Sequence, residues 1–226
     1  MGKKLGYALG IIALLTVIAA NYLIFIWVPA EKVMGIVQKI FYFHVAAAWV
    51  GFLAFFIVFF SSIRYLLSFN DKWDWLSAAS AEIGFVFMTI VLLTGSIWGR
   101  AFWGHWWTWD PRLTTSLILW FIYAAYLLLR SGITQQERKA RYSAVLGIIG
   151  FIDVPIVWFS VRWWRTVHPN LMVEGGKMAI STKMTITLSL SVIAFTLLYA
   201  FLLPRVVKLY QLDNRIQKTK DIIRNL

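Results

Sequence analysis

The chain alternates long apolar runs with short polar connections. Six runs, roughly residues 7–28, 45–66, 76–97, 113–129, 142–161 and 184–203, have the length to cross a bilayer, for which an α-helix needs about 20 predominantly apolar residues. In lipid a spanning segment must satisfy its own backbone polar groups, which a helix does alone. The pattern therefore predicts an all-α integral membrane protein with six transmembrane helices, a single domain over residues 1–226. The fourth run is short and would borrow residues from its flanks. The first continues apolar to Val28, beyond a possible cut near Ala19 and Ala20, and exceeds the roughly 7–15 residue core of a cleavable signal. It reads as a retained span. The tail from Arg205 to Leu226 alternates charged and apolar residues and reads as a cytoplasmic continuation of the last helix.

Lys and Arg near the span ends set the orientation. With the N-terminus inside, inner segments hold Lys3, Lys4, Arg64, Lys72, Arg130, Arg138, Lys139, Arg141, Arg205, Lys208, Arg215, Lys218, Lys220 and Arg224. The outer ones hold Lys32, Lys39, Arg100, Arg112, Arg162, Arg165, Lys177 and Lys183. Fourteen against eight places both termini in the cytoplasm and the connections 29–44, 98–112 and 162–183 on the outer face. Those connections contain only Glu31, Asp110 and Glu174 as acids, so their surplus positive charge suits phospholipid headgroups or an anionic ligand.

Composition agrees and excludes several functions. Hydrophobic residues make up 60% of the 226, and mean hydropathy is +0.71, well above soluble domains. The formal charge of +12 is explained by topology, not by nucleic-acid binding. Without cysteine there is no disulfide, no thiol chemistry and no CxxCH site for covalent haem attachment. Gly176 and Lys177 are followed by Met178 and lack the earlier glycine of a phosphate loop, so ATP hydrolysis would fall to a partner.

The chemistry concentrates in Trp98 to Thr114, WGRAFWGHWWTWDPRLT, which holds five of the thirteen tryptophans. A membrane-surface belt needs one or two rings per helix end. Here Trp98, Trp103, Trp106, Trp107 and Trp109 crowd one connection with His105, Asp110 and Arg112. At helical spacing Phe102, Trp106 and Trp109 would form one stripe and Trp103 with Trp107 a second, although Pro111 keeps any such helix short. A shelf of flat rings beside a cation fits a large, flat, apolar ligand bearing carboxylates, and haem answers that description.

Three histidines are present, His44, His105 and His168. His44 stands near the outer end of the second span and His168 beyond the outer end of the fifth, so the two could meet opposite faces of one ligand, as axial imidazoles do in haem. His105 lies among the rings and reads as a rim or partner-facing residue. Glu82 is shallow enough in the third span to snorkel or pair. Asp153 falls near mid-membrane, where an ionisable group is a functional candidate. Pro155, however, leaves the carbonyl of Phe151 without a donor, and a protonated Asp153 could help satisfy it.

These motifs resemble a known family. The tryptophan stretch is similar to the WWD signature of haem-handling proteins in cytochrome c biogenesis. Together with the six spans, KIFYFHVAAAW and SVRWWRTVHP, it resembles the haem exporter protein C (CcmC) family over nearly the whole chain. The resemblance implies transient, non-covalent haem b with His44 and His168 as axial ligands. It implies a platform of Trp98, Trp103, Trp109 and Asp110, with Arg112 reaching a propionate, and further site positions at Lys39 and Ser160. It also implies delivery to the haem chaperone CcmE on the outer face of the bacterial cytoplasmic membrane. The implied partners are a small membrane subunit, CcmD, and the ATP-binding cassette pair CcmA and CcmB. Lys39 departs from an expected arginine, which weakens bidentate carboxylate binding there. Ala46, Asp153 and Arg165 also depart from the family pattern. The rival reading is a haem b quinol oxidoreductase, which would bury histidine pairs inside spans; a third is a permease with an incidental aromatic belt.

Overall fold

In the computed structural model, which describes residues 3–166, 168 and 180–224, the chain is a bundle of helices with no strand among the described residues. α1 (Lys3–Tyr22) ends in a π-turn at Leu23–Trp27. A 3₁₀ turn at Ile36–Lys39 leads into α2 (Ile40–Ser68), followed by α3 (Asp71–Trp103), α4 (Pro111–Gly132), α5 (Gln136–Phe151), α6 (Asp153–Trp163) and α7 (Thr182–Arg224). Six helical stretches are long and apolar enough to span a membrane, with α5 and α6 together forming the fifth. The fourth span borrows from both flanks as expected and runs over 22 residues. The second and third reach 33 residues each, about 50 Å at 1.5 Å per residue, so their ends project beyond a hydrocarbon core of about 30 Å. Lys177 and Glu174 lie outside the described residues.

α2 and α3 form the central hairpin. Small residues line their contact: Ala47, Ala54, Ala78 and Ala81 are fully buried. A Cβ on Gly84 would lie 2.7 Å from Phe55 and 2.9 Å from Ala54. Close backbone approach of this kind replaces the hydrophobic driving force that lipid cannot supply between helices. The Ser80 hydroxyl donates to the Ala54 carbonyl across the contact at 2.7 Å. The turn between the helices is short because Phe69 takes a left-handed φ of 49° and Asn70 caps α3, accepting from the Lys72 N–H at 3.1 Å.

Three expectations meet specific outcomes here. Glu82 does pair: the Tyr210 hydroxyl of α7 donates to its Oε1 at 2.7 Å. The last helix does continue, through Pro204, to Arg224. Asp153 does not repair the backbone near Pro155. The chain instead breaks at Ile152, whose N–H donates to the Ile149 carbonyl at 3.1 Å, and Asp153 Oδ2 is buried without a hydrogen-bond partner. A tightened 3₁₀-type bond accommodates the proline without help from the side chain.

Away from the tryptophan stretch, Asp74 of α3 accepts from Arg130 Nη1 and Nη2 of α4 at 2.6 and 3.1 Å and from Gln136 Nε2 of α5 at 3.0 Å. Both members of the ion pair are almost fully buried. Removing one partner of such a pair strands a buried charge, at a cost of about 3–5 kcal/mol, whereas replacing both by apolar residues is far milder. Asp74→Ala should therefore lower the unfolding temperature in detergent much more than the double change Asp74→Leu with Arg130→Met. Equal losses would mean that the charges, once removed together, leave other contacts unmade.

Candidate functional site

The tryptophan stretch becomes a helix end, a turn and a helix start. α3 stops at Trp103 because Gly104 takes a left-handed φ of 82°, the usual glycine termination. Residues 104–110 carry no helix, so the two stripes expected at helical spacing do not form. α4 restarts at Pro111, a favoured first position since it lacks only an N–H that the helix would leave unpaired. Asp110 is its cap, accepting from the Arg112 N–H at 3.0 Å.

Beside this turn lies an open-mouthed cavity of about 160 Å³. His44, Trp98, Trp103, Arg112 and His168 line it. His105, read as a rim or partner-facing residue, lines it as well, with Trp106 and Trp107. Trp98 is buried between Phe41 and His44, edge-on to each at 6.1 and 5.9 Å, and Trp103 stacks on it at 6.2 Å. The remaining positions lie elsewhere. Trp109 is 77% exposed and does not line the cavity; released from helical spacing, its ring turns outward. Lys39 lies over the Phe25 ring and donates to the Phe25 carbonyl at 2.9 Å. Ser160 is fully buried and donates to its own helix at Val157 O, 2.8 Å away. Asp110 touches the site through a different route, described below.

The two histidines come together although they lie 124 positions apart in the sequence. Their ring centroids are 6.3 Å apart with planes 36° from parallel. Metal–imidazole bonds of about 2.0–2.1 Å place two imidazoles bound opposite each other with centres about 6.3 Å apart. Among the described residues no three His, Cys, Asp or Glu side chains gather as a metal-ion site. The pair therefore suits a metal that brings its other ligands with it, as a porphyrin does.

Orientation of His44 follows from one hydroxyl proton. Thr94 Oγ1 donates to the Ile90 carbonyl at 2.7 Å. It can then only accept at His44 Nδ1, 3.0 Å away, which places the ring proton on Nδ1 and leaves the Nε2 lone pair for a ligand. Metal-binding histidines are commonly held in this way. Gly95 supplies the notch, since a Cβ there would lie 3.1 Å from His44 Cε1.

Polar chemistry around the cavity favours an anion. Arg112 lines it, and none of the described lining residues is acidic. The indole N–H groups of Trp98 and Trp107 are buried with no hydrogen-bond partner. Such donors are rare in folded proteins, and each calls for an acceptor. A flat apolar body, an iron with two open axial positions and carboxylate acceptors together match what these residues present, so haem fits. Thr94 and Gly95 were missed from sequence. Thr94 carries no local signal, being 50 residues from the ring it orients.

The model of the family described as "Heme exporter protein C" matches residues 1–221. The chain belongs to this family, CcmC. It is 37% identical over 175 residues to a "Heme exporter protein C" of Bradyrhizobium diazoefficiens, covering 77% of the chain and 66% of that protein. It is 36% identical over 176 residues to the Escherichia coli protein of the same name, covering 77% of the chain and 70% of that protein. It is also 36% identical over 171 residues to a "Putative cytochrome c biosynthesis ccmC-like mitochondrial protein" of Marchantia polymorpha, covering 75% and 72%. This CcmC-family chain thus spans about two thirds of the length of its Bradyrhizobium relative.

Thr94→Val should remove the acceptor for His44 Nδ1 while keeping shape. Haem added to the purified variant should bind about tenfold more weakly, in line with the 10–100-fold cost of losing such a partner, and Thr94→Ser should restore it. Titration followed by absorbance checks this; wild-type affinity in the valine variant would exclude the orienting role.

Proposed function

We propose that this protein binds haem b between His44 and His168 at the outer face of the bacterial cytoplasmic membrane and hands it to the haem chaperone CcmE for cytochrome c maturation. The observation that carries the reading is the 6.3 Å separation of the two rings beside a cavity lined by tryptophans. Family membership supports it independently. Haem is cargo, held by coordination and contact, since a chain without cysteine has no thiol to fix it.

Each group then has a defined task. Nε2 of His44, presented by Thr94, supplies one axial nitrogen and His168 the other. Trp98 and Trp103 cover the porphyrin, and their indole surfaces exclude water from it. Arg112, with the Trp107 N–H, takes a propionate. The exposed rings of Trp106 and Trp109 form the rim that the chaperone approaches. The protein is a handling and transfer component, not an enzyme. CcmD works with it as a small membrane subunit, and ATP hydrolysis belongs to the ATP-binding cassette pair CcmA and CcmB. The Lys and Arg distribution supports cytoplasmic termini and a periplasmic haem site.

His44→Ala and His168→Ala should each abolish the low-spin bis-histidine spectrum of the haem-loaded protein, while His105→Ala keeps it. Loss in the His105 variant alone would overturn the ligand assignment.

Arg112 gives a second test. A charge-assisted bond to a propionate contributes roughly 1.5–3 kcal/mol when well aligned. Wild type should therefore prefer haem to its dimethyl ester by about tenfold or more, and Arg112→Ala should lose most of that preference. A mutant retaining full discrimination would assign the propionate to other cations.

A further inference from the structure

His44 and His168 are held in different ways. His44 sits in the second turn of α2, is 9% exposed and packs against α3 through Thr94 and Gly95. His168 belongs to no helix. Its backbone N–H donates to Thr166 Oγ1 at 3.0 Å, and the Thr166 hydroxyl donates to Asp110 Oδ1 at 2.8 Å. The same Asp110 oxygen accepts the Arg112 N–H as the cap of α4. One carboxylate oxygen thus joins the segment that follows α6 to the first turn of α4, next to Arg112. Among the described residues the Thr166 hydroxyl connects Asp110 to His168.

We propose that Thr166 is a positioning residue that latches His168 into axial reach, with Asp110 as its anchor, so that His168 is the ligand that leaves first when haem is handed on. The inference rests on the bis-histidine reading above. Asp110 in the tryptophan motif then acts as an oxygen acceptor that couples the α3–α4 turn to the second ligand, not as a group facing the haem. Movement of the chaperone's docking surface at 104–110 would reach His168 through this bridge. His44, fixed inside a helix against α3, would stay in place and keep haem attached until the transfer is complete.

The test uses the full-length protein in detergent, loaded with haem and titrated with free imidazole. Thr166→Val keeps the side-chain shape and removes both hydrogen bonds. It should retain haem through His44, show a mixed high-spin and low-spin spectrum, and accept imidazole in place of His168 at a concentration about tenfold below wild type. Thr166→Ser should behave as wild type. Asp110→Asn keeps an oxygen for the Thr166 hydroxyl and should stay low-spin, whereas Asp110→Leu should not; this arm stands if the valine variant fails to accumulate. His168→Ala separates the two readings. If it keeps the low-spin spectrum, the axial assignment fails and the latch with it. If it loses that spectrum while Thr166→Val titrates like wild type, or Asp110→Asn behaves like Asp110→Leu, the latch alone is overturned.

Discussion

Close packing of α2 against α3 sets the geometry of everything at the tryptophan-lined cavity. The two helices approach through alanines and glycines, with Gly84 against Phe55 and Ala54, and Gly95 against the His44 ring. In a membrane this approach is what makes helix association favourable, because dispersion contacts and interhelical hydrogen bonds replace the solvent-driven term. It also means that the His44 imidazole inherits the rigidity of the hairpin. A larger side chain at Gly95 would push the ring from Thr94, and the orientation of Nε2 would be lost before any ligand is involved.

Against that rigid half stands a second half built from connections. Gly104 ends α3, seven residues carry no helix, and Asp110 with Pro111 restarts α4. This break has two consequences. It turns Trp109 outward while Trp98, Trp103 and Trp107 stay inward, dividing one sequence motif between a cavity wall and a surface. It also leaves Asp110 with an oxygen available to Thr166. If the two imidazoles bind haem as proposed, one ligand sits in a packed helix and the other is tethered through Thr166, a combination that suits a carrier which must hold its cargo and then release it.

The opposite arrangement of charge is found at the Asp74–Arg130 pair. There a bidentate pair is sealed among α3, α4, α5 and α7, with Gln136 completing the acceptor. Beside the tryptophans, Arg112 faces the cavity with no acidic residue among the described lining residues. One arginine serves the fold; the other is positioned to meet an anion.

How far the sequence alone carries is visible in particular residues. Apolar run lengths determined six spans, because lipid allows a single spanning segment only the helix. The shallow position of Glu82, fit to snorkel or pair, was legible because depth can be counted along the helix; its partner Tyr210 was not. The crowding of tryptophans with an arginine already pointed to a flat apolar ligand bearing carboxylates. The stripes of Phe102, Trp106 and Trp109 failed since helical spacing has meaning only inside a helix, and Gly104 ends it first. Lys39 and Ser160 read as site residues by position in a motif, yet each spends its polar atom on a nearby carbonyl. The tertiary structure alone decided that Thr94, 50 residues from His44, fixes its tautomer, and that Thr166 connects His168 to Asp110 across 56 residues. Sequence periodicity reports which face of a helix is apolar; it contains no term for which hydroxyl proton is already committed, and that commitment exists only once the helices are packed.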